Sequence, residues 1–291
     1  MEERVSFASD GLTLSGVVRT PDGLAPGERR AALLLLHGFG SNKEASWMKL
    51  TAELLASWGY ASLRFDFRGC GESEGERARV ICLEQVEDTR NALTYMASRS
   101  DILPGAIGVY GHSFGAAVAC YAGGVEPRIA AVMSSGGWGN GEKKFRKQHE
   151  SDEAWKRFTD MMAEGKRVRA ETGRSIRVPR YDIVPIPPHL RGNLSEGSHL
   201  EFPFEVVESM FEFMANDVVG RIAPRPLLLL HPSNDSVTPT EQSVELFQHA
   251  HQPVDLHLIA NVDHFLLSEG NPLVINLVKN WLEKYLPARA A

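Results

Sequence analysis

Apolar residues in this chain fall in short runs separated by longer stretches with helical spacing. Runs at about 31–37, 60–66, 106–111, 129–135 (IAAVMSS), 226–231 and 254–260 have the length and composition of strands. The run PLLLLHPSND, unbroken by polar residues and ended by turn formers, predicts a parallel strand buried on both faces. Amphipathic helical stretches lie at about 44–58 and 82–99. TEQSVELFQHA follows the 226–231 strand, and NPLVINLVKNWLEKYL closes the chain as a helix. Residues 3–20 alternate as an antiparallel hairpin would, with Asp10-Gly11 at its turn. Such alternation of strand and helix predicts an α/β fold: a mostly parallel, doubly wound sheet with helices on both faces and an N-terminal antiparallel hairpin.

Between Ser135 and Pro226 lie about 90 residues that such a core does not need. The expected division is a core of 1–136 and 217–291 with an inserted helical lid at 137–216. In the first part of the insert, Trp155, Phe158 and Met162 recur at i, i+3, i+7. That stripe either packs the insert onto the core, the more common outcome, or faces a substrate. VPRYDIVPIPPHLRG is expected to be extended because of its prolines, and a second helical run at about 203–215 returns the chain to the core.

The candidate chemistry begins at residues 107–119, IGVYGHSFGAAVA. Strand, tight turn and helix start follow one another with Ser113 at the apex. Gly111 and Gly115 stand where side chains would collide in so sharp a turn, the G-x-S-x-G arrangement of a nucleophile elbow. A serine nucleophile needs a base, and the base needs an orienting carboxylate. Asp235 lies just past the 226–231 strand and His264 just past the 254–260 strand. Both are at carboxyl ends, where open α/β sheets place their ligands. The other late histidines fit less well. His249 and His251 sit in TEQSVELFQHAHQ, which has helical spacing, and His257 lies mid-strand, where a structural role is expected. Asp263 is poorly placed to reach its own neighbour's Nδ1, and Asp255 is at the wrong end of its strand. AALLLLHGFG runs a strand into a glycine-rich loop, which nominates the backbone N–H groups of Phe39 and Phe114 as an oxyanion hole.

With these residues assembled, the chain resembles the α/β-hydrolase superfamily, and within it the esterase and dienelactone-hydrolase-like branch. The matching stretches are LLLLHGFGSNKE, FDFRGCGESEG, VYGHSFGA, PLLLLHPSNDSVTP and NVDHF. They span about 31–136 and 217–285. Dienelactone hydrolases carry a cysteine nucleophile where this chain has Ser113, so the resemblance implies ester, thioester or amide chemistry rather than that ring opening. It also implies structural roles for Asp66 and Arg68 and a packed Cys70. Cinnamoyl and feruloyl esterases and polyketide-processing hydrolases or acyltransferases share these motifs.

Composition narrows the reading further. A net charge of −6 argues against a nucleic-acid partner. Three cysteines (Cys70, Cys82 and Cys120) without metal-ligand spacing suit a reducing cytoplasm. No apolar stretch reaches membrane-spanning length, and no signal peptide or membrane role is expected. Residues 137–192 hold thirteen Lys or Arg against eight Asp or Glu, a charge of +5, leaving −11 for the remainder. The usual meaning of such charges is a solvated helix face; the alternative is recruitment of an anionic substrate. The expected protein is therefore a serine hydrolase of carboxylic esters or thioesters, needing neither cofactor nor metal. Its partner would be a small-molecule substrate, and an apolar lid edge could support a homodimer. Acyl transfer and C–C bond hydrolysis use the same groups. A non-catalytic hydrolase-fold binding protein is the reading from outside enzymology.

Overall fold

The computed structural model describes residues 1–25, 27–267 and 270–289. Residues 290 and 291, the end of the expected core, lie outside the described residues. The N-terminal hairpin is β1 (Glu2–Ser9) and β2 (Leu12–Arg19), paired antiparallel around Asp10-Gly11. Then come β3 (Arg30–Leu36), α1 (Ser46–Ser57), β4 (Ala61–Phe65), α2 (Cys82–Ala97), β5 (Ile102–His112), α3 (Phe114–Val125) and β6 (Val132–Ser135).

The inserted segment carries α4 (Gly141–Gln148), α5 (Asp152–Thr172), β7 (Arg177–Pro179), α6 (Arg180–Ile183), β8 (Glu201–Pro203) and α7 (Phe204–Glu212). The chain rejoins the sheet at β9 (Leu227–Pro232), followed by α8 (Glu241–His249), β10 (Val254–Ile259) and α9 (Pro272–Tyr285).

The main sheet has the order β1-β2-β4-β3-β5-β6-β9-β10. β2 meets β4 antiparallel, and every pairing from β4 through to β10 is parallel. Its centre is buried on both faces. Ala32, Leu34 and Leu36 of β3 pack into one apolar cluster with Val86 and Leu93 of α2 and Ala117 of α3. Ala31, Leu33 and Leu35 pack into another with Met48 and Leu55 of α1 and Val278 and Leu282 of α9. The period of two in strand side chains divides the two layers.

One expectation needs correction. VPRYDIVPIPPHLRG is not simply extended: α6 occupies Arg180–Ile183, and a 3-10 turn spans Pro188–Asn193. Pro179 is the cap residue before α6 and Pro188 the first residue of the 3-10 turn. These are positions where a missing N–H costs nothing and the fixed φ is already helical. α4 and α5 are separated at His149–Ser151, where Ser151 caps α5 by accepting the Ala154 N–H at 3.1 Å. In the stripe, Phe158 and Met162 are buried in the cluster shared with the sheet, and Trp155 packs against it. The stripe is packing, as its more common reading had it.

Candidate active site

β5 ends at His112 and α3 begins at Phe114, leaving one residue to reverse the chain. That residue is Ser113, at φ 56° and ψ −117°, backbone that L-residues seldom adopt. A Cβ on Gly111 would stand 2.0 Å from the Gly115 carbonyl oxygen. A Cβ on Gly115 would stand 2.2 Å from the Leu36 oxygen and 2.7 Å from that of His37. Both positions therefore need glycine, because the obstructing atoms are backbone. The Ser113 N–H donates to the Ser135 carbonyl at 2.8 Å, tying the turn to β6.

The loops after β9 and β10 bring the other two groups to this apex. Nε2 of His264 lies 2.8 Å from the Ser113 Oγ, and Nδ1 lies 2.8 Å from Oδ2 of Asp235. A carboxylate can only accept, so Nδ1 donates to Asp235 and Nε2 accepts from the serine hydroxyl. The His264 side chain is 3 % exposed and that of Asp235 0 %. Asp235 is held further: its Oδ1 accepts the backbone N–H groups of Val237 and Thr238 at 2.7 and 2.8 Å. Burial alone would raise its pKa, but the His264 charge and the bonds from His231 and His264 hold the carboxyl well below the usual range. Asp263 does not reach the imidazole. It accepts the His264 N–H at 2.8 Å and the Ser236 hydroxyl at 2.8 Å, joining the two loops.

The glycine-rich loop after β3 completes the site. His37 is buried; its Nε2 accepts the Phe67 N–H at 3.2 Å, so its Nδ1 donates to the Gly38 carbonyl at 2.8 Å. Burial pushes its pKa down to about 4, keeping the ring neutral and the loop pinned. A Cβ on Gly38 would stand 3.8 Å from that of Ser113. Neither the Phe39 nor the Phe114 N–H donates to an acceptor among the described residues. The Phe114 N–H also opens α3, where the helix dipole favours negative charge.

A cavity, part of it open to solvent, is lined by Ser113, His264, Phe39 and Phe114. From the inserted segment come Trp138, Lys144, Arg180 and Ile186 among others. His249, His251 and His257 line no part of it. The His249 Nδ1 donates to the Glu245 carbonyl in its own helix at 2.8 Å, and Asp255 accepts from Trp281 Nε1 at 2.9 Å. Asp66 is buried against Lys43 at 2.7 Å, and Arg68 donates to Asp88 at 2.7 Å. Cys70 is packed, and burial pushes its thiol up. Among the described residues, no group of three or more His, Cys, Asp or Glu side chains stands together as a metal site.

Three residues here escaped the sequence reading. His231 sits four residues before Asp235 with Nε2 3.3 Å from Oδ2 and 3.0 Å from the Thr238 carbonyl; Ser243 approaches its Nδ1 at 2.6 Å. Its place at the end of an apolar strand, on the same strand-to-loop turn as Asp235, was the available signal. Arg180 donates to the carbonyls of His199, at 2.6 Å, and of Phe39. Lys144 is buried in the cavity wall. Neither cation is distinguishable by pattern from the eleven others around it.

The sequence profile of the Alpha/beta hydrolase family matches residues 33–275. Acyltransferase drtE of Aspergillus calidoustus is 25% identical over 279 residues, covering 88% of this chain and 85% of its own. Thiohydrolase aneE of Aspergillus aculeatus is 26% identical over 281 residues, covering 90% and 86%. The crystal structure of alpha/beta hydrolase GrgF from Penicillium sp. sh18 superposes with a TM-score of 0.79 at 20% identity, over 98% of this chain and 99% of that one.

Proposed function

The chain belongs to the α/β-hydrolase family, and from that premise we propose that it is a serine hydrolase that cleaves a carboxylic ester or thioester through an acyl-enzyme. The observation that carries this reading is the hydrogen-bonded line from Ser113 through His264 to Asp235, 2.8 Å at each step. Such a line lets a neutral hydroxyl attack at neutral pH, because the base takes its proton as the new bond forms.

Ser113 Oγ bonds to the carbonyl carbon while His264 Nε2 takes the hydroxyl proton. The resulting oxyanion accepts from the Phe39 and Phe114 N–H groups, each such donor being worth about 3–4 kcal/mol in the transition state. His264 then hands the proton to the departing alcohol or thiol as the C–O or C–S bond breaks. Water gives a proton to His264, attacks the acyl-serine and releases the acid, and Oγ recovers its hydrogen. Asp235 keeps Nδ1 protonated and stabilises the imidazolium. The inserted segment acts as a lid, since Trp138, Lys144 and Ile186 wall the cavity over Ser113.

Similarity to proteins named an acyltransferase and a thiohydrolase favours a second outcome for the same intermediate, capture by an alcohol, amine or thiol in place of water. The test is turnover of a p-nitrophenyl ester series from acetyl to dodecanoyl by the native protein and by Ser113→Ala. Turnover that disappears in the variant supports the reading, and the chain-length optimum sizes the acyl pocket. Added methanol or thiol then partitions the products between acid and transferred acyl group. A folded native protein inert to the series and to matching thioesters contradicts the reading.

A further inference from the structure

Most cations of the inserted segment are partnered. Lys156 pairs with Asp160, Arg157 with Glu153, Lys147 with Glu150, Arg169 with Glu208 and Lys143 with Glu245, all at 2.6–2.8 Å and mostly in solvent. Of the cations there without a carboxylate partner among the described residues, two are buried, Lys144 and Arg180, and both line the Ser113 cavity. Arg180 is buried, and its hydrogen-bond partners among the described residues are carbonyls. Lys144 is 1 % exposed, and its Nζ has no hydrogen-bond partner among the described residues. Nζ stands 4.4 Å from the ring centre of Trp138 and 3.9 Å from that of Phe145. The Trp138 Nε1 is also buried without an acceptor.

Aromatic faces offset only part of the desolvation of an ammonium and accept none of its hydrogen bonds in full. A buried lysine in this state belongs to a surface that awaits an acceptor. Trp138 connects it to the reacting centre, since its ring lies 5.7 Å from that of Phe114, the residue after Ser113. The carboxylate of the triad, Asp235, is committed to its two histidines and two backbone N–H groups. The cavity thus offers positive charge and two idle N–H donors, one charged and one neutral, against the same indole. A carboxylate, with two acceptor oxygens and one negative charge, matches the chemistry of both.

We propose that Lys144, with Trp138 Nε1, is the recognition site for a free carboxylate that the substrate carries in addition to the ester or thioester presented to Ser113. This rests on the reading of the Ser113 cavity as the substrate site. Burial pushes the Lys144 pKa down to about 7, and an anionic group beside it would raise it again.

The test is calorimetric binding to the Ser113→Ala protein of monomethyl adipate, which carries one carboxylate, and of uncharged dimethyl adipate. A charge-assisted hydrogen bond in a buried site predicts that the monoester binds about tenfold or more tightly than the diester. The preference falls to near unity when Lys144→Met is added. Trp138→Phe, which keeps the ring and removes the N–H, lowers it by a smaller factor and serves if the lysine variant does not fold. Equal affinities, no saturable binding of the monoester, or a preference that survives the loss of both donors overturns the proposal. Binding to Ser113→Ala needs no turnover, so failure of this inference is read separately from failure of native protein to hydrolyse the ester and thioester series.

Discussion

Two imidazoles reach one oxygen of Asp235, and their settings differ in a way that assigns their work. His264 presents its second nitrogen to a serine hydroxyl in a cavity. His231 is fully buried with both nitrogens satisfied by Ser243, Thr238 and the carboxylate, so it positions the aspartate. Asp235→Asn keeps the shape but lets Nδ1 face a side-chain N–H, favouring the wrong tautomer, and kcat should fall about 10⁴-fold as measured on the best p-nitrophenyl ester. Lys144 makes a second prediction, with the sign fixed by its folded pKa of about 7 against an ordinary 10.5. Between those values the unfolded chain binds the proton and the folded one does not. Stability of the native protein relative to Lys144→Met should therefore rise with pH from about 7 toward 10, by at most about 1.4 kcal/mol per pH unit. Burial also pushes the Cys82 thiol up to about 12 and shifts His149 down, contributions common to both proteins that cancel in the difference. Urea melts of both proteins across that range check it, and a difference independent of pH would contradict it. Ser113, Asp235 and His264 could be read from sequence because each follows a recognisable strand. Lys144 could not, because only burial separates it from Lys143 beside it, which is exposed and paired with Glu245.

At the scale of elements, the turn at Ser113 is only as sharp as its glycines permit. A methyl at Gly115 would strike the Leu36 and His37 carbonyls at the end of β3, the strand that leads into the loop of Phe39. Gly115→Ala therefore has to push α3 away from the sheet. We expect a loss of more than about 4 kcal/mol or failure to fold, measured by the denaturation midpoint. A variant as stable as the native protein would mean the packing is looser than described. The strands were legible because hydrophobic runs buried on both faces tolerate nothing polar, as in β3 and β9. The proline-rich segment was misread because propensity forbids proline inside helices but not at their first residues, and Pro179 and Pro188 occupy such places.

Across the whole molecule, the inserted segment and the sheet share one apolar cluster, which runs from Val109 of β5 to Phe145, Phe158 and Phe202. Phe158 stacks on Phe145 and His149 with ring centres 4.9 and 4.6 Å apart. Phe158→Ala should cost about 3–5 kcal/mol, and the chain should still unfold in a single transition seen alike by tryptophan fluorescence and circular dichroism. Two separated transitions would show that the insert folds apart from the core. The segment between β6 and β9 stands out in the sequence by its length alone, whereas its contribution to the cavity depends on contacts far apart in sequence, such as Arg180 to the Phe39 carbonyl. The excess of positive charge there is chiefly surface ion pairs, with Lys144 and Arg180 as the buried exceptions.

The claim on which the rest depends is that Ser113 is a nucleophile activated by His264. The direct measurement is intact-protein mass and peptide mapping after brief exposure to a fluorophosphonate, run on the native chain, Ser113→Ala and His264→Ala. A single adduct on Ser113, absent from the serine variant and formed at least about a hundredfold more slowly in the histidine variant, is the predicted result. A native protein that stays unmodified, or one labelled elsewhere, contradicts it.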